Sequence, residues 1–361
     1  MVQQERLLAT FLDLVRIDNP SGGEGPIAAH IRGLLEGMGL TVIEDAMHNL
    51  LARVPGDGEP LLLNAHMDSV APCHGVNPVV ADGIVRSSGD TVLGADDLAG
   101  VAAIIEGVRA TLEQGGPHRA AELVFTVQEE IGMRGAAQFD TSQLSAREGV
   151  TFDSGGEFGG ITIAAPSQDS LHVVVHGRAA HAGVAPERGI NAITIAAEAL
   201  TTMPLGRIDH ETTANIGIIR GGAATNVVPD QVELWGEARS HDQDKLVAQV
   251  QAMVAAFEQA ARARGASVQV EISHKYDAYR LPDDAPILER VQAELRAMGF
   301  APKPQVSGGG SDVNMFAQRD LHIANISMGY REIHSTSEYI AVEDIEHAAE
   351  LVQRLLAIQS A

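Results

Sequence analysis

Three apolar runs in this chain end on residues that can bind metal or move protons. LLLNAHMD (61–68) ends in His66 and Asp68, ELVFTVQEE (122–130) in Glu129 and Glu130, and VTFD (150–153) in Asp153. LGADDLAG puts Asp96 and Asp97 just before a helical stretch, and GYREIHSTSE puts His334, with Glu338 nearby, after the strand pattern HIANISMG. Taken singly, each has an ordinary reading: a satisfied strand-end histidine, an N-cap aspartate, a surface pair of acids. Together they are two histidines and at least four acids, most of them at strand exits of one sheet. Independent accidents would scatter.

The chemistry that needs these residue types is hydrolysis at a divalent metal. Histidine with carboxylate suits zinc or a similar ion, and two ions roughly 3.5–4 Å apart need a bridging carboxylate. If Asp96 bridges, His66 with Asp153 and His334 with Glu130 complete two sites; three carboxylates then meet four positive charges and leave one for a hydroxide. His66 and Asp68 lie two apart and face one side of an extended chain, so Asp68 can accept the proton on the ring nitrogen that a metal leaves free. Glu129 and Glu130 are adjacent and point to opposite faces of an extended chain, which suits two jobs. Glu130 holds a metal, while Glu129 takes a proton from water and passes it to a leaving amine.

The elements that must position these residues follow from periodicity. Residues 2–17 and 26–38 read as amphipathic helices, the second closed by Gly39, followed by a hairpin of TVIED and NLLARV. The three apolar runs are strands, with a helix over 98–114, capped by Gly115 and Gly116, between the first two. Apolar strands alternating with helices predict a mainly parallel sheet with helices on both faces. Between 167 and 280 the order becomes βαββαβ, a ferredoxin-like split-βαβ sandwich; a helix at 285–298, the strand HIANISMG and a helix at 342–358 then resume the first pattern. The expected architecture is an α/β catalytic domain built from 1–166 and 281–361, with an inserted lid at 167–280.

Composition narrows the function. A chain of 361 residues that is 45% hydrophobic can bury a core, and its formal charge of −23 argues against nucleic acid or an anionic membrane as partner. The single cysteine, Cys73, forms no internal disulfide and reads as a small packed residue in a reducing compartment. The amino-terminal segment lacks a signal-peptide core and no apolar run reaches 18 residues, so cytoplasmic residence is the default expectation.

The series NAHMDSV, GADDLAG, QEEIG, FDSGG, GRAAHAGVAPERGINAI, GGAATNVVPD, SGGGSDVN and IHSTSEY resembles the dinuclear zinc metallopeptidase family of peptidase T, glutamate carboxypeptidase, acetylornithine deacetylase and succinyl-diaminopimelate desuccinylase. The resemblance spans essentially the whole chain; GADD and GYREIHS look most like the peptidase T branch. It implies that Asp96 bridges two divalent ions, zinc first with cobalt or manganese as alternatives. It further implies that His66, Glu130, Asp153 and His334 complete the ligands, that Asp68 supports His66, and that Glu129 is the general base. It also implies a homodimer formed through the lid, whose His181 stabilises the oxyanion, with Asn226 and Arg239 binding the substrate's carboxylate or backbone and Gly309 and Ser311 lining the pocket. In dimeric members the lid histidine enters the partner's active site, and a lid spanning 167–280 is too short to supply it within one chain. Members usually carry lysine where this chain has Leu98, a departure that bears on substrate or rate because no ligand is lost.

Three functions compete. The first is a metal-dependent exopeptidase acting on short peptides, an aminopeptidase of tripeptidase type. The second is an N-acyl-amino-acid deacylase or carboxypeptidase using the same centre. The third is a non-catalytic metal-binding scaffold, whose signature would be a lost base or ligand; Glu129 and all five ligand residues are present.

Overall fold

Runs of branched apolar residues between turn formers become strands whose side chains are buried without interruption, as in Leu61–His66 of the strand Asp57–His66. Such a strand must be covered on both faces. The computed structural model describes residues 1–358; residues 359–361, the tail of the span expected for the catalytic domain, lie outside the described residues. The chain divides into two compact units, the first comprising Met1–Ala164, Arg280–Ser307 and the chain from Ser311 onward, the second Ala165–Tyr279 with Gly308–Gly310.

In the first unit, adjacent strands run in the order Thr41–Glu44, Leu50–Val54, Arg119–Thr126, Asp57–His66, Glu148–Ser154, His322–Ser327 and Gly160–Ala165. The four central ones are parallel, with His66 opposite Thr126 and Thr151 opposite both Asn64 and Asn325. Their carboxyl ends therefore line up at one edge, where open α/β sheets place their sites. Helix Ala95–Gln114 is buried from Ala95 to Val108 and consists largely of small and apolar residues. Gly107 permits the close approach of helix Val342–Leu356, since a Cβ there would come within 2.6 Å of Val352. Leu98 is fully buried in this core.

The second unit realises the βαββαβ order. Its antiparallel sheet runs Gly206–Arg207, Thr212–Gly221, Gln231–Ser240, Ser167–His176 and Ser267–Tyr276. Alternate residues of Ser167–His176 are buried, and Leu171, Val173 and Val175 join a core with helices Ala192–Thr202 and Gln243–Ala263. That period of two marks a sheet covered by helices on one face.

Two sequence expectations need correction. The strand expected over 122–130 stops at Thr126, because Gln128 takes a positive φ of 54° and the chain turns. The paired glutamates therefore sit in a turn, and their separation does not come from strand alternation. The helix expected from 98 starts at Ala95, but Asp96 and Asp97 keep non-helical backbone angles. An unforeseen three-stranded sheet joins Pro78–Ala81, Ile84–Ser87 and Tyr339–Ala341.

Candidate active site

The carboxyl edge of the sheet collects the expected residues of the first unit. His66 closes its strand; its Nδ1 lies 3.0 Å from the carbonyl oxygen of Asp68 and 3.5 Å from the Asp68 carboxylate. The ring is thus held by Asp68 through its backbone carbonyl as well as through the expected carboxylate contact. The carboxylate also holds the glutamate turn: its Oδ1 accepts the N–H of Glu129 at 2.9 Å, and its Oδ2 accepts Glu130 N–H at 3.3 Å and the Ser21 hydroxyl at 2.6 Å. Glu24 adds a further anchor by accepting the N–H of Gln128 at 3.0 Å.

Asp96 lies between two groups. Its Oδ1 is 3.3 Å from Nε2 of His66 and its Oδ2 is 3.5 Å from Nε2 of His334. Asp153 Oδ1 lies 4.0 Å from His66 Nε2, and Glu130 Oε2 lies 3.1 Å from His334 Nε2. His66, Asp153 and one Asp96 oxygen could serve as one set of donors, and His334, Glu130 and the other Asp96 oxygen as a second; His66, Asp96 and Glu130 also offer ligand atoms within 4.8 Å of one another. Donors bonded at 2.0–2.1 Å to one tetrahedral ion sit about 3.3–3.4 Å from each other, so three of these four separations fit shared ligation. Glu130 Oε1 is buried without a hydrogen-bond partner, as an atom reserved for a cation would be.

Electrostatics point the same way. Asp68, Asp96, Asp97, Glu129, Glu130, Asp153 and Asp312 cluster with two histidines, and among the described residues no Lys or Arg pairs with any of them. Burial, reinforced by Asp153, pushes the Glu129 carboxyl well above the usual range. Burial does the same to Asp97 and Asp153. Hydrogen bonds to Asp96 and then Glu130 push His334 up to about 10. So much uncompensated negative charge fits bound divalent cations.

Other participants escaped the sequence reading. Asn325 grips the backbone of Asp153, donating Nδ2–H to its carbonyl at 2.7 Å and accepting its N–H at 3.0 Å. Tyr330 directs its hydroxyl at Asp153 Oδ1 from 3.5 Å. Asp312, pushed up to about 6 by burial, accepts the Thr126 hydroxyl. The available signal was a polar residue inside an apolar pattern, as Asn325 is in HIANISMG.

His181, Asn226, Arg239 and Gly309 belong to the second unit, Ser311 to the first. His181 is exposed; its Nδ1 accepts the N–H groups of Gly183 and Val184 at 3.1 and 3.2 Å, which leaves the proton on Nε2 as an outward donor. Asn226 neighbours it, its carbonyl accepting Ala182 N–H at 2.9 Å. Arg239 is engaged in a two-point contact with Glu237 at 2.9 and 3.1 Å. Ser311 has a structural task, forming a capping box with Asn314 at the start of helix Asp312–Ala317.

Residues 164–264 match the M20 peptidase dimerisation domain, and residues 77–155 match the M42 glutamyl aminopeptidase domain. The uncharacterized protein YqjE of Bacillus subtilis is 40% identical over 99% of this chain and 99% of its own. The solved aminopeptidase PepT from Bacillus cereus is similar at a TM-score of 0.88 and 39% identity, over 98% of each chain. A tripeptidase from Staphylococcus aureus reaches a TM-score of 0.94 at 36% identity, over 99% of this chain and 98% of that one.

Proposed function

The chain belongs to the M20 family of peptidases, in its peptidase T-like branch, and from that premise we propose that it is a metal-dependent aminopeptidase releasing the amino-terminal residue of tripeptides. The observation that carries the reading is the Asp96 carboxylate, which turns one oxygen to each of two His/acid sets.

Two divalent ions fit these sets, zinc being the ion that mixed histidine and carboxylate donors favour. His66, Asp153 and Asp96 would hold one, His334, Glu130 and Asp96 the other. When bound, the ions supply Lewis acidity that polarises the scissile carbonyl and acidifies water.

The chain's own residues do the rest. Glu129 takes the proton of the attacking water while its oxygen bonds to the carbonyl carbon, then delivers that proton to the amine as the C–N bond breaks. Among the described residues no side chain or N–H group hydrogen-bonds its carboxylate, and burial with neighbouring acids raises its basicity. Asp68 fixes the turn that carries it. We assign His181 the donation of its Nε2–H to the oxyanion, and Asn226, Arg239, Gly309 and Ser311 the binding of substrate; the outward donor on His181 supports the first of these. The dimerisation-domain match supports a homodimer through the second unit. No helix of the described residues is long and apolar enough to cross a membrane. The single cysteine supports a cytoplasmic setting.

Purified, metal-loaded protein assayed on free di- and tripeptides, N-blocked peptides and N-acyl amino acids tests the proposal. Tripeptides with a free amine should be cleaved fastest. Faster release from N-acyl amino acids would replace it with the deacylase function.

A further inference from the structure

A carboxylate outside both candidate donor sets contacts the backbone of the one residue that both share. Glu338 is 3% exposed, and its Oε2 accepts the N–H groups of Leu93 and Gly94, each at 2.8 Å, while its Oε1 accepts that of Asp96 at 3.0 Å. Gly94 is left-handed and Asp96 and Asp97 are non-helical, so this backbone precedes regular helix geometry and has no ladder of its own. Its N–H groups need acceptors from elsewhere. Glu338 supplies three of them from a segment 242 to 245 residues away.

Placement makes the contact consequential. Glu338 follows His334 by four residues and immediately precedes the strand Tyr339–Ala341, which pairs with Ile84–Ser87. One carboxylate therefore links the segment bearing His334 to the segment bearing Asp96. No Lys, Arg or His among the described residues forms an ion pair with Glu338; its hydrogen-bond partners there are the backbone N–H groups of Leu93, Gly94 and Asp96. A buried carboxylate without a cationic partner is costly, and neutral groups could anchor a loop more cheaply.

We propose that Glu338 is a positioning residue, fixing the Asp96 backbone so that its two oxygens face the two donor sets at once. The inference rests on the metal-centre reading above. It separates Glu338 from a simple loop anchor, whose loss would lower stability without changing how ions bind.

Glu338→Gln keeps the shape but must turn an amide N–H toward at least one backbone N–H. The test compares it with wild type by apo-protein melting, calorimetric titration with zinc, and the visible absorption spectrum of the cobalt-loaded form. A modestly lowered apo melting temperature, affinity weakened about 10–100-fold at both ions and an altered cobalt spectrum are expected. Two ions bound with wild-type affinity and an unchanged spectrum would overturn the role. Glu338→Asp keeps the charge but withdraws it by one methylene, and decides the matter by the same readouts if the amide variant does not fold. Wild-type protein that binds no divalent ion would instead sink the metal-centre reading itself.

Discussion

Oδ1 of Asp68 accepts the backbone N–H of Glu129 at 2.9 Å. The carboxylate expected to serve the His66 ring therefore also serves the turn that carries Glu129. Asp68→Ala should lower kcat by about 10–100-fold, the usual cost of losing an outer-shell partner, while the fold persists. Steady-state kinetics with circular dichroism checks this; unchanged kcat would show that the turn holds itself.

The adjacent glutamates should fail differently. Glu129→Gln should keep both ions and lose about 10²–10⁴ in kcat, the contribution of a positioned base. Glu130→Ala should lose occupancy of the ion beside His334. Metal analysis of each variant, paired with turnover, separates the two roles, and Glu129→Gln retaining more than about a tenth of wild-type turnover would remove it as the base.

His181→Ala should lose about 10²–10³ in kcat while still binding two ions, because one oxyanion donor disappears. If His181 acts on the partner's site, mixing this variant with Glu129→Gln under subunit exchange should restore roughly a quarter of wild-type activity. A mixture with proven exchange that stays inactive would place its action within one chain or remove it from catalysis.

Acetylating the amino terminus of a good tripeptide substrate should abolish cleavage, since an aminopeptidase must recognise that free amine. Comparing kcat/KM for the free and blocked forms checks it, and equal values would point to an acyl-accepting site.

The sequence singled out the side chains that gather at the sheet edge more fully than their supports, for physical reasons. His66, Asp96, Glu130, Asp153 and His334 stood out as candidates because metal chemistry restricts residue type, and the parallel sheet brings them to one edge. The turn at Gln128 was not legible, since an apolar run closing in polar residues reads as extended until a positive φ ends it. The helix start at Ala95 was obscured by Asp96 and Asp97, which suggest a cap but are themselves non-helical. Glu24, Asn325 and Glu338 act on backbone groups 104, 172 and up to 245 residues away, beyond any local pattern. Leu98, noticed as a departure where lysine is usual, is fully buried in the core, so its side chain adds apolar packing there in place of a charge.

The central claim is that Asp96 serves two ions at once, and counting them tests it directly. Elemental analysis of the active protein at saturation should find two divalent ions per chain, with chelation abolishing activity and zinc, cobalt or manganese restoring it. Full activity with at most one tightly held ion per chain would contradict the account.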